Sequence, residues 1–109
     1  MRTLEWNLEL QSLQMIDQRL LPAELRLVQC RDYQQVIQAI REMTVRGAPA
    51  IGAAAAFGLA LAAQESVAQD LPALRSELKL AGAALLTARP TAVNLSWALQ
   101  RVLQAVHAY

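Results

Sequence analysis

Met43-Thr44-Val45-Arg46-Gly47-Ala48-Pro49-Ala50-Ile51-Gly52-Ala53-Ala54-Ala55-Ala56-Phe57-Gly58 is the stretch whose reading decides the fold. It follows an amphipathic pattern, sets arginine, glycine, alanine and proline side by side, and runs on into an apolar segment. Proline suits the first position of a helix, because its missing N–H would have had no intrahelical partner and its φ is already helical. Pro49 therefore predicts a helix start. The N–H groups around Gly47, Ala48 and Ala50 are then left without helical partners at the positive end of the helix dipole. Gly47 has no Cβ to keep an approaching oxygen away, and Arg46 offers a planar fork of donors that fits a phosphate. These features predict an anion site with phosphate as its ligand. A plain link between two helices, with a solvated arginine, is the alternative these residues leave open.

Downstream, no side chain from Gly47 to Ala63 is charged or strongly polar. A spanning helix needs roughly 17 to 25 apolar residues, so this run is at the short limit, and alanine, glycine and proline dominate it. We read it as a helix buried on all sides of a globular domain, small-faced so that neighbouring helices or a ligand come close. No membrane span is expected. Asp70-Leu71-Pro72 repeats the pairing of a capping residue with an early proline, and Leu71, Leu74, Leu78, Ala81 and Leu85 then recur at helical spacing. A further helix carries Leu95, Leu99, Val102, Leu103 and Val106 on one face, after Pro90 has biased Arg89 away from helical geometry.

Upstream, Asp32 with Gln35 three residues on forms an acidic variant of a capping box. The helix it opens carries Tyr33, Val36, Ile37, Ile40 and Met43 on the face expected to enter the core. Before it, Thr3 to Asn7, Ser12 to Asp17 and Glu24 to Cys30 read as strands. Leu4 and Trp6, Leu13 and Met15, and Leu25 and Leu27 fall at the period of two that half-buried strands show. Leu20-Leu21-Pro22 lies at the turn or edge between them. The expected fold is α+β and mainly helical: a small antiparallel sheet over residues 1–30, then a four-helix bundle-like segment over residues 32–109, in one domain.

Composition excludes several function classes. The chain has 109 residues, 55% of them hydrophobic and 17% charged, which suits one compact domain rather than disorder. A net charge of +1, with the basic residues scattered, gives no field for nucleic acid. The one cysteine rules out an internal disulfide framework, no cationic leader with an apolar core opens the sequence, and a cytoplasmic location is expected. Cys30 reads as a buried structural thiol. His107 has no carboxylate at a spacing that makes a dyad, Asp17, Asp32 and Asp70 read as turn or capping residues, and no metal-ligand cluster is present. Trp6 and Trp97 read as core or domain-interface aromatics. Arg46 and Arg89 each precede a proline-marked helix start, and brought to one end of a bundle they would form a two-armed clamp for one phosphate. The alternative for each is a surface cap or ion pair worth about 0 to 1 kcal/mol.

The run Met43 to Gly52 resembles the signature of the S-methyl-5-thioribose-1-phosphate isomerase family. So do Arg2-Thr3-Leu4-Glu5-Trp6, Leu20-Leu21-Pro22 and Arg89-Pro90-Thr91-Ala92-Val93-Asn94-Leu95, in the same order along nearly the whole chain. That family converts 5-methylthioribose 1-phosphate into 5-methylthioribulose 1-phosphate, an aldose–ketose step of methionine salvage that moves a proton between neighbouring carbons without a redox or metal cofactor. The resemblance implies that Arg46, Gly47, Ala48 and Arg89 contact a sugar-phosphate substrate. It also implies that this chain is an N-terminal domain of a homodimeric parent. The acid and base, a cysteine and an aspartate, would lie in a Rossmann-like C-terminal domain absent here, so no catalytic residue is expected in this chain and the isolated domain should be inactive. The same architecture resembles regulatory subunits of initiation factor 2B and ribose-1,5-bisphosphate isomerases. A helical interaction module without a ligand is the remaining alternative.

Overall fold

A computed structural model describes residues 4–89 and 92–107. Three strands, β1 (Leu4–Asn7), β2 (Ser12–Ile16) and β3 (Leu27–Cys30), form an antiparallel sheet in the order β1-β2-β3. Four helices follow: α1 (Tyr33–Arg41), α2 (Ala48–Glu65), α3 (Leu71–Leu86) and α4 (Val93–His107). The expected α+β class, sheet first and helices after, is the architecture observed.

The register explains which face of the sheet meets the helices. Trp6 pairs with Leu13 and Leu13 with Cys30, while Leu4 pairs with Met15 and Met15 with Val28. These two rows pack on the helical core, and the Trp6 ring stacks on Phe57 of α2 with centroids 5.7 Å apart. Here the sequence reading of the third strand needs correction. Leu25 is 58% exposed and precedes the strand, and Leu27 is exposed as well. The inward residues are Val28 and Cys30, one position out of phase, because the pairing with β2 and not the local alternation fixes which side chains face inward. A short 3-10 helix, Gln18–Leu20, and a cis Leu21–Pro22 peptide occupy the connection where a turn or an edge was expected. Thr3, expected to open β1, lies outside the described residues.

The starts of α1 and α3 follow the expected capping chemistry. Asp32 accepts a hydrogen bond from the Gln35 N–H at 2.8 Å, and Asp70 accepts one from the Ala73 N–H at 2.8 Å. Gln35 reaches back to the Arg31 N–H, one residue earlier than in a standard capping box. Asp17 caps the short 3-10 helix through the Arg19 N–H. α2 lies at the centre of the helical layer: Ile51, Ala54, Ala55, Leu59, Leu61 and Ala62 are buried, and it contacts all three other helices and the first two strands. It is long and apolar enough to cross a membrane, but the burial on all sides expected from its sequence is only partial: Pro49, Ala53, Ala60 and Ala63 are exposed, because neighbouring elements cover the other side of the helix. Leu78, Ala81 and Leu85 of α3 and Leu95 and Leu99 of α4 complete the core, as their spacing predicts.

Met43 departs from its expected place. It lies past the end of α1, is 42% exposed and has φ of 65°. The Met43 N–H bonds the Ile40 carbonyl and the Thr44 N–H bonds the Ala39 carbonyl, the paired closure that turns a chain sharply out of a helix. That closure demands a left-handed residue, so the helical period ends before Met43 and its side chain is swung off the core face.

Candidate functional site

The turn after α1 delivers the chain to α2 through Arg46 and Gly47. Gly47 is the N-cap of α2 with φ of 93°, a conformation that side chains on an L-residue resist. A Cβ placed there would meet nothing within 4 Å, so glycine is required for its backbone angle rather than for lack of room. The helix begins at Ala48, with Pro49 second rather than first. The first helical hydrogen bond runs from the Ile51 N–H to the Gly47 carbonyl at 2.9 Å. The N–H groups of Ala48 and Ala50 precede it and have no partner within the helix.

A cleft of about 370 Å³ opens at this helix end, lined by Met43, Arg46, Gly47, Ala48, Ile51 and Arg89 together with Ala92, Val93 and Asn94. All four residues singled out from the sequence, Arg46, Gly47, Ala48 and Arg89, therefore border one space. The first residues of α2 and α4 meet across it, so two helix N-termini and two arginines converge on one cleft. No carboxylate among the described residues lines it. Among the described residues neither Arg46 nor Arg89 makes an ion pair or a hydrogen bond through its side chain. Arg19 and Arg26, by contrast, are paired with Asp17 and Glu24. Pro90 and Thr91, part of the second arginine motif, lie outside the described residues.

Met43, Ile51 and Asn94 were not among the residues assigned to the site from the sequence. Asn94 carried a signal, since it lies in the same motif as Arg89, five positions on. Met43 and Ile51 carried a signal of the same kind, since both lie in the run Met43 to Gly52, but the α1 pattern pointed Met43 to the core. Asn94 also borders a second, apolar groove of about 410 Å³ between α2 and α4, lined by Pro49, Ala53, Ala56, Trp97, Ala98 and their neighbours. Trp97 is not a core aromatic: it is 63% exposed, with the Arg101 guanidinium 5.6 Å from its ring centre.

Cys30 is buried, and burial, with a smaller contribution from the Asp32 charge, pushes its thiol up to about 11. A thiol so protonated is neither nucleophile nor base at neutral pH, in keeping with the structural role expected of it. Among the described residues no group of three or more His, Cys, Asp or Glu is placed to hold a metal ion. The His107 side chain lies outside what the structure describes.

Comparison with known proteins places the chain in a family. The chain is 57% identical over 94 residues to a methylthioribose-1-phosphate isomerase of Herpetosiphon aurantiacus, an alignment covering 86% of this chain and 26% of that protein. Its fold matches the crystal structure of 5-methylthioribose 1-phosphate isomerase from Pyrococcus horikoshii with a TM-score of 0.91 and 46% identity, over 99% of this chain and 30% of the other. It matches the translation initiation factor eIF-2B subunit delta from A. fulgidus with a TM-score of 0.90 and 40% identity, over 100% of this chain and 31% of that one. The chain thus spans about 30% of the length of these relatives. The sequence model of the Initiation factor 2 subunit family matches residues 44–109, from the arginine turn through α4, and the chain belongs to that family.

Proposed function

We propose that this chain is the substrate-phosphate-binding domain of a sugar-phosphate isomerase that converts 5-methylthioribose 1-phosphate into 5-methylthioribulose 1-phosphate. The observation that carries the reading is the cleft lined by both Arg46 and Arg89, neither with a carboxylate partner among the described residues, where the N-termini of α2 and α4 meet. A phosphate dianion there would take charge-assisted hydrogen bonds from two planar guanidinium groups and from the N–H groups at the start of α2. The names of the relatives supply the sugar. Proton transfer between sugar carbons needs an acid and a base, which the described lining of the cleft does not offer, so on this reading the reaction requires the rest of the parent protein. The division is physically sensible, because the phosphate is gripped from one wall while the carbon being deprotonated is presented to another.

A second reading is favoured by the match to the initiation factor subunit. On that reading the same cleft senses a sugar phosphate without turning it over. Turnover by the full-length parent separates the two.

The test of the clamp is a thermal-shift titration of this chain with 5-methylthioribose 1-phosphate, with ribose 5-phosphate and inorganic phosphate alongside. A ligand present at a hundred times its Kd and bound only by the folded state adds about 2.7 kcal/mol of stability. The expected result is stabilisation by the methylthio sugar phosphate that disappears in Arg46→Ala and in Arg89→Ala, with both variants folded. Stabilisation that survives both substitutions would place the anion elsewhere and end this reading.

A further inference from the structure

We propose that Gly52 is a positioning residue of the cleft: by letting α4 lie directly against α2, it sets the separation of the turns that carry Arg46 and Arg89. The inference rests on the clamp reading above. Gly52 lies one turn into α2, and its backbone angle is not of the left-handed kind that favours glycine. An alanine could adopt that conformation and would raise helix propensity, so the reason for glycine lies in its surroundings. A Cβ on Gly52 would stand 3.1 Å from the Asn94 carbonyl oxygen and 3.6 Å from the Ala98 Cβ. Both belong to α4, and neither can rotate out of the way. The first turn of α4 would have to move off α2 by a few tenths of an ångström.

That movement bears on both arms. The Ala92 N–H bonds the Arg89 carbonyl at 3.0 Å and the Ser96 N–H bonds the Ala92 carbonyl at 3.3 Å, so the turn bearing Arg89 is tied to the start of α4. Gly47, beside Arg46, is tied to the start of α2 by the bond from Ile51. Gly52 thus stands where the two assemblies touch. The donors of a multidentate anion site must be held to within about half an ångström, and a shift of a few tenths of an ångström uses up much of that tolerance. Gly82 of α3 is the matched contrast: a Cβ there would meet the Leu103 Cδ1 at 3.3 Å and the Leu59 Cδ2 at 3.8 Å, the ends of flexible side chains.

The experiment compares the wild-type chain with Gly52→Ala and Gly82→Ala, each labelled with nitrogen-15, first without ligand and then titrated with inorganic phosphate. In Gly52→Ala the amide signals of Gly47, Ala48 and residues 93–95 are expected to shift together, and the Kd for phosphate to rise about five-fold through misalignment of the donors. In Gly82→Ala those signals stay in place and the Kd stays within about two-fold, since only side-chain ends need to move. Ala98→Val, which widens the same contact from the α4 side, should reproduce Gly52→Ala and serves if that variant does not fold. Unchanged phosphate affinity in the Gly52 and Ala98 variants, or an equal loss in Gly82→Ala, would overturn the proposal. If the wild type shows no response to phosphate, the clamp reading falls by itself. The ligand-free amide signals then decide the spacing role, and their constancy in Gly52→Ala would overturn it.

Discussion

Asp17 is 2% exposed, yet it is a charged residue held at the end of β2. Its carboxylate accepts from the Arg19 backbone N–H at 3.1 Å and from the Arg19 guanidinium at 2.9 and 2.8 Å, and that guanidinium also reaches Glu42 at 3.0 Å. The side-chain bonds from Arg19 outweigh burial and hold the Asp17 carboxyl below its ordinary value of 3.8. A group lowered in this way adds stability above the unfolded value, and that contribution is lost as pH falls through the lower folded value. Asp17→Asn is therefore expected to cost about 1.5 to 3 kcal/mol at pH 7, the range for hydrogen bonds to charged groups. The difference between variant and wild type should shrink below pH about 3.8, where the unfolded carboxylate takes up its proton. Urea unfolding at pH 7 and pH 3 measures both, and a constant difference would show that the charge of Asp17 contributes nothing. The network has a further consequence for the site. Glu42 follows directly on α1, and the Gln18 N–H bonds the Thr44 carbonyl at 2.8 Å, so the link from α1 to Arg46 is fastened to the 3-10 helix that follows β2. Nothing in the local sequence pattern announced this, since a pairing between Arg19 and Glu42 exists only after folding.

The helices differ in what holds them. α1 and α4 carry apolar faces at regular spacing, whereas α2 is apolar all round and is held by neighbours on several sides. α3 begins with the Asp70 cap and Pro72 in its first turn. Asp70→Ala should lower stability by about 1 kcal/mol, or about 4 °C in Tm for a chain this size, while Asp70→Asn should change little. Thermal unfolding of the two variants is the check, and equal losses would mean that the carboxylate acts through its charge and not as a cap. Caps and periods of this kind were legible in the sequence because they depend on residues within one turn of each other. The phase of β3 was not, because Leu25 and Leu27 alternate as convincingly as Val28 and Cys30 and only the partner strand chooses between them. The exit of α1 failed for a related reason: Met43 continues the helical period, and the closing bonds to Ile40 and Ala39 override it.

At the scale of the molecule, the apolar groove between α2 and α4 faces outward with Trp97 exposed and Val93 exposed beside the cleft. Exposed apolar area of this kind favours association. The isolated chain is expected to self-associate as its concentration rises, and Trp97→Lys to reduce that association without unfolding the domain. Sedimentation velocity over a hundred-fold range of concentration tests this, and a wild-type monomer throughout would show that the groove does not drive association between copies.

The sequence by itself determined the order of strands and helices, the caps at Asp32 and Asp70, and the two arginines beside proline-marked helix starts, whereas the left-handed angle that requires glycine at position 47 emerged only from the structure. What the sequence determined depends on short-range chemistry: hydrogen-bonding side chains, the fixed φ of proline, and the period of apolar residues. Only the tertiary structure decided that Arg46 and Arg89, 43 positions apart in the numbering, border one cleft that has no acidic lining among the described residues. It also decided that Met43 and Asn94 join them and that Trp97 faces outward. These are outcomes of how α4 packs on α2, and close contact between two helices is a property of both surfaces at once, which no local stretch of either contains.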